Sequence, residues 1–276
     1  MTPTIGVFDS GFGGLTVLRA LIQRLPRARF AFLGDTARLP YGSKSRRTIA
    51  RYAVQSAQFL VREQQAEFLV IACNTASALA LDAIQESVPV PVLGVIQPGA
   101  QSARAASGSR DVLVIATDAT VQSHAYANAC RSLGLRALEK SCPLLVPLVE
   151  EGWINHPVTE QVIRIYLDEL TSDAAAQGLR PDALVLGCTH YPLLRPLFER
   201  LVPEGVSVID SAESTADIAV QLFNGRDHTA DLPEGSVSPA ETEIRCYATD
   251  SVEKFERLGS RFLGRPVGKV ELIDLG

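Results

Sequence analysis

The chain of 276 residues has no pair of cysteines at C-x-x-C spacing, and its five cysteines (73, 130, 142, 188 and 246) are an odd number. Neither a disulfide framework nor a zinc ribbon fits that pattern, and reduced thiols are expected of a cytoplasmic protein. Long apolar runs are also missing. The longest uncharged stretch, Phe68 to Leu81, is broken by Asn74, Thr75 and Ser77 and is too short to cross a bilayer. Met1-Thr2-Pro3-Thr4 offers no basic region or cleavage site before the first apolar run, so no leader is expected. Positive charge is scarce: the net charge is −5, which speaks against a nucleic-acid partner or an anionic membrane surface. Lys44, Arg46 and Arg47 lie together but read as a solvated face. Lysines number only four (44, 140, 254 and 269), with Lys44 alone near a candidate loop, so a pyridoxal cofactor has little to anchor it. Cys73 with Cys188 and His190 could supply three metal ligands, but nothing matches structural zinc spacing, so no metal is expected.

What the sequence does contain is one stretch written twice. Glu67-Phe68-Leu69-Val70-Ile71-Ala72-Cys73-Asn74-Thr75 and Asp182-Ala183-Leu184-Val185-Leu186-Gly187-Cys188-Thr189-His190 share an order of acid, short apolar run, small residue, cysteine and polar side chains. Their cysteines are 115 residues apart, a spacing suited to two related halves rather than a solenoid. Short runs rich in Val, Ile and Leu read as strands buried on both faces of a parallel sheet. Ligands in such sheets bind beyond the carboxyl ends of the strands, where both cysteines fall. Two thiols so placed could face one substrate from opposite sides.

The pattern around them is strand, turn, helix, repeated. Ile5–Phe8 leads through a glycine-rich turn into a helix marked by Leu15, Leu18, Leu21, Ile22 and Leu25. Phe30–Leu33 is a second strand and 45–64 a helix. A helix over 77–86 follows the first cysteine strand, and Val90–Ile96 is a fourth strand whose Pro89 and Pro91 suit an edge. After Gln97 the pattern restarts: strand Asp111–Ala116, turn 117–120, helix 121–133, strand Cys142–Val149, turn 150–152 and helix 159–170. The second cysteine strand, a helix over 192–201 and the strand Val206–Ile209 complete it. A segment rich in Gly, Pro and acid (224–242) then joins a helix starting at Ser211 to a last strand, helix and strand. With 46% hydrophobic residues the chain can bury a large core. The expected fold is α/β, two similar doubly wound parallel-sheet domains related by a pseudo-two-fold axis, with the active site in the cleft between them. The expected boundaries are 1–97 with 210–276 for a discontinuous first domain and 98–209 for the second.

Cys73 and Cys188 are the first candidates for chemistry, whereas Cys130, Cys142 and Cys246 read as small buried hydrophobes. An ordinary thiol has a pKa near 8.5, and half ionisation at pH 7 takes about 2 kcal/mol of differential stabilisation, or a neighbouring base. Asp9, ending strand one, is paired with Cys73, and His190, two residues past Cys188, with Cys188. A carboxylate raises a thiol's pKa, so Asp9 reads as a proton acceptor or orienting group rather than an electrostatic activator. His124, His156 and His228 have no such setting. The turn Ser10-Gly11-Phe12-Gly13-Gly14 opens a helix whose N–H groups could hold an anion. It is not a full dinucleotide fingerprint, because the third glycine is replaced by Thr16, although Asp35 lies where a ribose-binding acid would sit.

Four blocks together resemble the bacterial glutamate racemases, of the aspartate/glutamate racemase family. They are Gly6-Val7-Phe8-Asp9-Ser10-Gly11-Phe12-Gly13-Gly14, Gly34-Asp35-Thr36 through Pro40-Tyr41-Gly42, Cys73-Asn74-Thr75-Ala76-Ser77 and Gly187-Cys188-Thr189-His190-Tyr191-Pro192. The resemblance runs over essentially the whole chain. It implies a cofactor-independent isomerase that interconverts L- and D-glutamate and supplies the D-isomer for peptidoglycan, and the expected assembly is a homodimer. By the same resemblance Cys73 and Cys188 are the acid/base pair, Cys73 working on the D-isomer and Cys188 on the L-isomer, with Asp9 and His190 assisting. Asp9, Ser10, Pro40, Tyr41, Gly42, Asn74, Thr75 and Thr189 match positions around the substrate, and Thr117 and Thr120 look like further carboxylate contacts. The glutamate placed after the second strand of the later half is Glu150 or Glu151, with Glu150 favoured. Family members activated by a peptidoglycan precursor carry an N-terminal extension. This chain begins at strand one, so that activation is not expected.

Overall fold

The computed structural model describes residues 3–224 and 238–276. Most of the connecting segment 224–242 and His228 therefore lie outside the described residues. In chain order the first elements are β1 (Thr4–Asp9), α1 (Leu15–Arg24), β2 (Arg29–Gly34), α2 (Arg46–Arg62) and β3 (Phe68–Ile71). They continue with α3 (Asn74–Leu79), α4 (Leu81–Ser87), β4 (Val92–Gly94) and α5 (Ile96–Ala106). The second run is β5 (Asp111–Ala116), α6 (Asp118–Gln122), α7 (Ala125–Ser132), β6 (Arg136–Ser141), α8 (Leu145–Glu150) and α9 (Pro157–Ala176). It ends with β7 (Ala183–Gly187), α10 (Arg195–Leu201), β8 (Ser207–Asp210) and α11 (Ser211–Asn224), before β9 (Ile244–Ala248), α12 (Val252–Leu263) and β10 (Val270–Leu272).

These strands form two parallel sheets, ordered β10-β9-β2-β1-β3-β4 and β6-β5-β7-β8. The inner order 2-1-3-4 of the first sheet recurs as 6-5-7-8 in the second. In each, the chain reverses its direction of travel between two neighbouring strands, β1 and β3 in one and β5 and β7 in the other. The doubly wound fold opens its ligand crevice at that point. Asp9 and Cys73 stand at the first crevice, Thr117 and Cys188 at the second. Helices cover both faces, so β3, β5 and β7 are buried along their whole length, as their unbroken apolar sequences require. The C-terminal strands join the first sheet, β9 pairing with β2 through Phe32 opposite Cys246.

Four expectations are corrected. The strand expected at Cys142–Val149 is instead β6 at Arg136–Ser141. As an edge strand it need not be apolar, and the Leu-Val run that follows winds into α8 with Leu145 and Val149 buried one turn apart. The strand 90–96 shrinks to β4 because the Val95 N–H bonds to Ser77 Oγ at 3.2 Å rather than to a neighbouring strand. The helix expected from residue 77 begins at Asn74, capped by Cys73, and is interrupted at Ala80. The expected turn 117–120 is itself the start of α6, and the following helix is interrupted at His124, which has φ +55°.

Candidate active site

Cys73 leaves β3 in an extended conformation and becomes the N-cap of α3, its Sγ accepting the Ala76 N–H at 3.4 Å. Ser10 Oγ lies 3.4 Å from the same sulfur. Burial pushes the Cys73 thiol up to about 12, and the nearby Asp9 charge adds to this against the pull of the Ser10 and Ala76 bonds. Asp9 is 1% exposed, one layer behind the cavity wall. Its carboxyl is also raised by burial, opposed by the charge of His190 and by the N–H groups of Gly14, Gly11 and Ser10. The Gly11 N–H of the glycine-rich turn donates to the Asp9 carboxyl at 2.9 Å.

The second thiol has a different setting. Cys188 Sγ lies 4.0 Å from His190 Nδ1, and His190 Nε2 lies 3.3 Å from Glu150 Oε1. The other oxygen of Glu150 accepts from Lys254 Nζ at 3.3 Å, a lysine contributed by α12. Burial would lower the His190 pKa, but the bonds to Cys188 and Glu150 outweigh it and bring it up to about 10. The imidazole is thus cationic at neutral pH. Burial acts against Glu150 as well, yet His190 and Lys254 together hold it below the ordinary carboxylate value. Cys130, Cys142 and Cys246 are all pushed up by burial, to about 11, 12 and 12, and none lines the cavity.

Both thiols line one cavity of about 380 Å³ between the two sheets' carboxyl ends, within the range of small-molecule sites. Ser10, Pro40, Tyr41, Gly42, Asn74, Thr75, Thr117, Glu150, Thr189 and His190 share its wall, as does Glu151, while Thr120 sits behind it. Hydroxyls of Thr75, Thr117 and Thr120 meet across the two halves at 2.9 to 3.3 Å. The Tyr41 hydroxyl donates to Asp35 Oδ2 at 2.5 Å. Asp35, 0% exposed, also accepts from Arg38 at 3.0 Å and Thr249 at 2.9 Å, which leaves it no role as a ribose acid. Leu39, Ser43, Asp118, Pro143, Val146 and Pro147 also line the wall. Leu39 adjoins a block already singled out, but the α8 residues carry no polar signal. Lys254 lies 104 residues from Glu150 in sequence, and only the fold joins them. Among the described residues no helix is long and apolar enough to cross a membrane, and no cluster of three His, Cys, Asp or Glu could hold a metal.

Residues 5–219 match the family model described as Asp/Glu/Hydantoin racemase. The glutamate racemase of Koribacter versatilis is 52% identical over 99% of this chain and 98% of its own length. Among solved structures, glutamate racemase isoform RacE1 from Bacillus anthracis superposes with a TM-score of 0.89 at 35% identity, covering 99% of this chain and 98% of that one. The glutamate racemase of Francisella tularensis, solved in complex with D-glutamate, gives 0.86 at 35% identity with the same coverage.

Proposed function

The chain belongs to the Asp/Glu/hydantoin racemase family, and we propose that it interconverts L- and D-glutamate by a cofactor-independent, two-thiol mechanism. One observation carries this reading: Cys73 and Cys188, from equivalent strand ends of two sheets, line a single cavity in unlike electrostatic settings. Inversion by proton transfer needs a donor and an acceptor on opposite faces of a planar carbanion. The Cys73 thiol, pushed up to about 12, is the donor in the resting site. Cys188 faces an imidazolium, the setting in which a thiolate is paired, and is the acceptor. From the L-isomer, the Cα–H bond breaks and its proton goes to the Cys188 sulfur, leaving the electron pair on Cα. The Cys73 S–H then delivers its proton to the other face, forming the new Cα–H bond. The thiols have exchanged states, and the D-isomer runs the steps in reverse.

The charge that develops must be met by fixed dipoles. The hydroxyls of Thr75, Thr117 and Thr189 and the backbone around Gly42 are the groups at hand for the substrate carboxylates. Asn74 Oδ1 is buried with no hydrogen-bond partner, an acceptor suited to the α-ammonium. Among the described residues no lysine lines the cavity to form a Schiff base. The proposal extends to supply of D-glutamate for peptidoglycan, a cytoplasmic setting and a homodimer.

The test is racemisation followed by circular dichroism with L-glutamate and L-aspartate, together with solvent deuterium entering at Cα. Glutamate should lose its optical signal and gain deuterium, and Cys73→Ala and Cys188→Ala should each abolish racemisation. Preference for aspartate would shift the substrate. A nearly harmless Cys73→Ala would end the two-thiol mechanism.

A further inference from the structure

Asp35 follows β2 directly and is fully buried, yet it is not part of the cavity wall. A buried carboxylate has to be matched by donors, and three converge on this one. The Tyr41 hydroxyl donates to one oxygen at 2.5 Å, while Arg38 Nε at 3.0 Å and Thr249 Oγ1 at 2.9 Å donate to the other. Arg38 and Tyr41 belong to the segment 36–43, from which Leu39, Pro40, Tyr41, Gly42 and Ser43 line the cavity. Thr249 comes from the other end of the chain, just after β9 and beyond residue 219, where the family match ends. Its hydroxyl oxygen also accepts the Ala37 N–H at 2.9 Å. Beside it the Asp250 N–H donates to Thr36 Oγ1 at 2.9 Å, and the Asp250 carbonyl accepts the Thr36 hydroxyl.

The same segment meets the other half of the molecule at Gly42, where a Cβ would come within 3.3 Å of the Thr117 Cβ. Where the segment is pinned therefore decides how its wall residues stand against Thr117. Hydrogen bonds to a buried carboxylate are strong, and three of them from separate positions leave the segment little freedom. We infer that Asp35 and Thr249 are positioning residues: they hold the 39–43 wall against Thr117, so that the C-terminal part of the chain sets the affinity for the substrate carboxylate without touching it. This rests on the reading of the cavity as a glutamate site. The thiols stand on other elements, Cys73 after β3 and Cys188 after β7, so proton transfer within the bound substrate is left in place.

Thr249→Val keeps the shape of the side chain and removes the hydroxyl that joins Ala37 to Asp35. KM for both L- and D-glutamate should rise about fivefold, the scale of one hydrogen bond, with kcat within about twofold of the unmodified protein. Thr249→Ser, which restores the hydroxyl, should bring KM back to within about twofold. Asp35→Asn removes the charge that all three donors share and should raise KM about tenfold with the same small effect on kcat. A merely structural role gives a different result, because a loss of folded protein lowers the apparent kcat and leaves KM where it was. An unmoved KM in Thr249→Val overturns the inference, and so does a Thr249→Ser variant that fails to recover. If Asp35→Asn does not fold, the Thr249 pair decides the matter alone. Failure of the unmodified protein to racemise glutamate at all would instead sink the reading beneath it.

Discussion

Glu150 divides its two oxygens between His190 Nε2 and Lys254 Nζ, each at 3.3 Å. A carboxylate held from both sides can neither rotate away from the imidazole nor lose its charge easily, and this is part of what keeps His190 protonated. Glu150→Gln removes the charge and keeps the shape. Because the carboxylate favours the cationic ring, its loss should bring the His190 pKa down from about 10, by about one unit or more. NMR titration of the His190 ring reads this directly, and on the proposed mechanism racemisation at pH 8 should fall about tenfold with it. A ring titration that stays in place would mean that Glu150 does not sustain the His190 charge. Lys254→Met should be milder, a few-fold in kcat/KM, since the lysine side chain is 42% exposed and ion pairs this wet contribute little. Lys254→Arg should restore most of it.

The turn between β1 and α1 shows what an element can say in sequence and what it cannot. Its glycines were visible as a helix-opening turn, but not what they press against. A Cβ on Gly13 would collide with Thr189 Oγ1 and come within 2.5 Å of His190 Nδ1, so the turn of one sheet is seated on the cysteine loop of the other. Thr16 Oγ1 fastens the same contact by donating to the Thr189 carbonyl at 3.1 Å. Gly13→Ala should therefore displace His190 and cost more than about a hundredfold in kcat/KM, a 1 Å error near reacting atoms being worth that much. Gly108→Ala, where the nearest atom to a Cβ is Asp182 Oδ2 at 3.6 Å, should behave like the unmodified protein in the same assay. Equal losses in both variants would mean that the Gly13 contact is not special. Legibility followed burial. The central strands β3, β5 and β7 announced themselves because both faces are covered, and with them came Cys73 and Cys188 at their ends. The edge strand β6 did not, because Arg136, Glu139 and Lys140 carry no apolar strand signal, and the apolar start of α8 next to it was read in its place. Lys254 was invisible for a different reason: it acts on a residue 104 positions away, and no local pattern encodes that.

At the scale of the whole molecule, His190 belongs to three neighbourhoods at once. It follows β7, bonds Glu150 at the end of α8, and lies edge-on to the Phe262 ring of α12 with centroids 5.1 Å apart. A buried cation in that position ties folding to pH. Its pKa is about 10 in the folded protein against the ordinary 6.5. Between those values the folded state holds a proton that the unfolded chain has released, so unfolding liberates it and stability falls as pH rises. The contribution is complete below pH 6.5 and gone once pH has passed through about 10. His190→Asn is smaller but keeps a polar, hydrogen-bonding side chain and cannot titrate. The melting temperature of the unmodified protein should therefore exceed that of the variant most near pH 6, and the gap should narrow steadily toward pH 10. Titrating groups that do not touch His190 are common to both proteins and largely cancel in the difference. Differential scanning calorimetry at half-unit intervals from pH 6 to 10 measures it. A gap that holds constant, or widens with pH, would mean that His190 is neutral in the folded protein and would remove the imidazolium from beside Cys188.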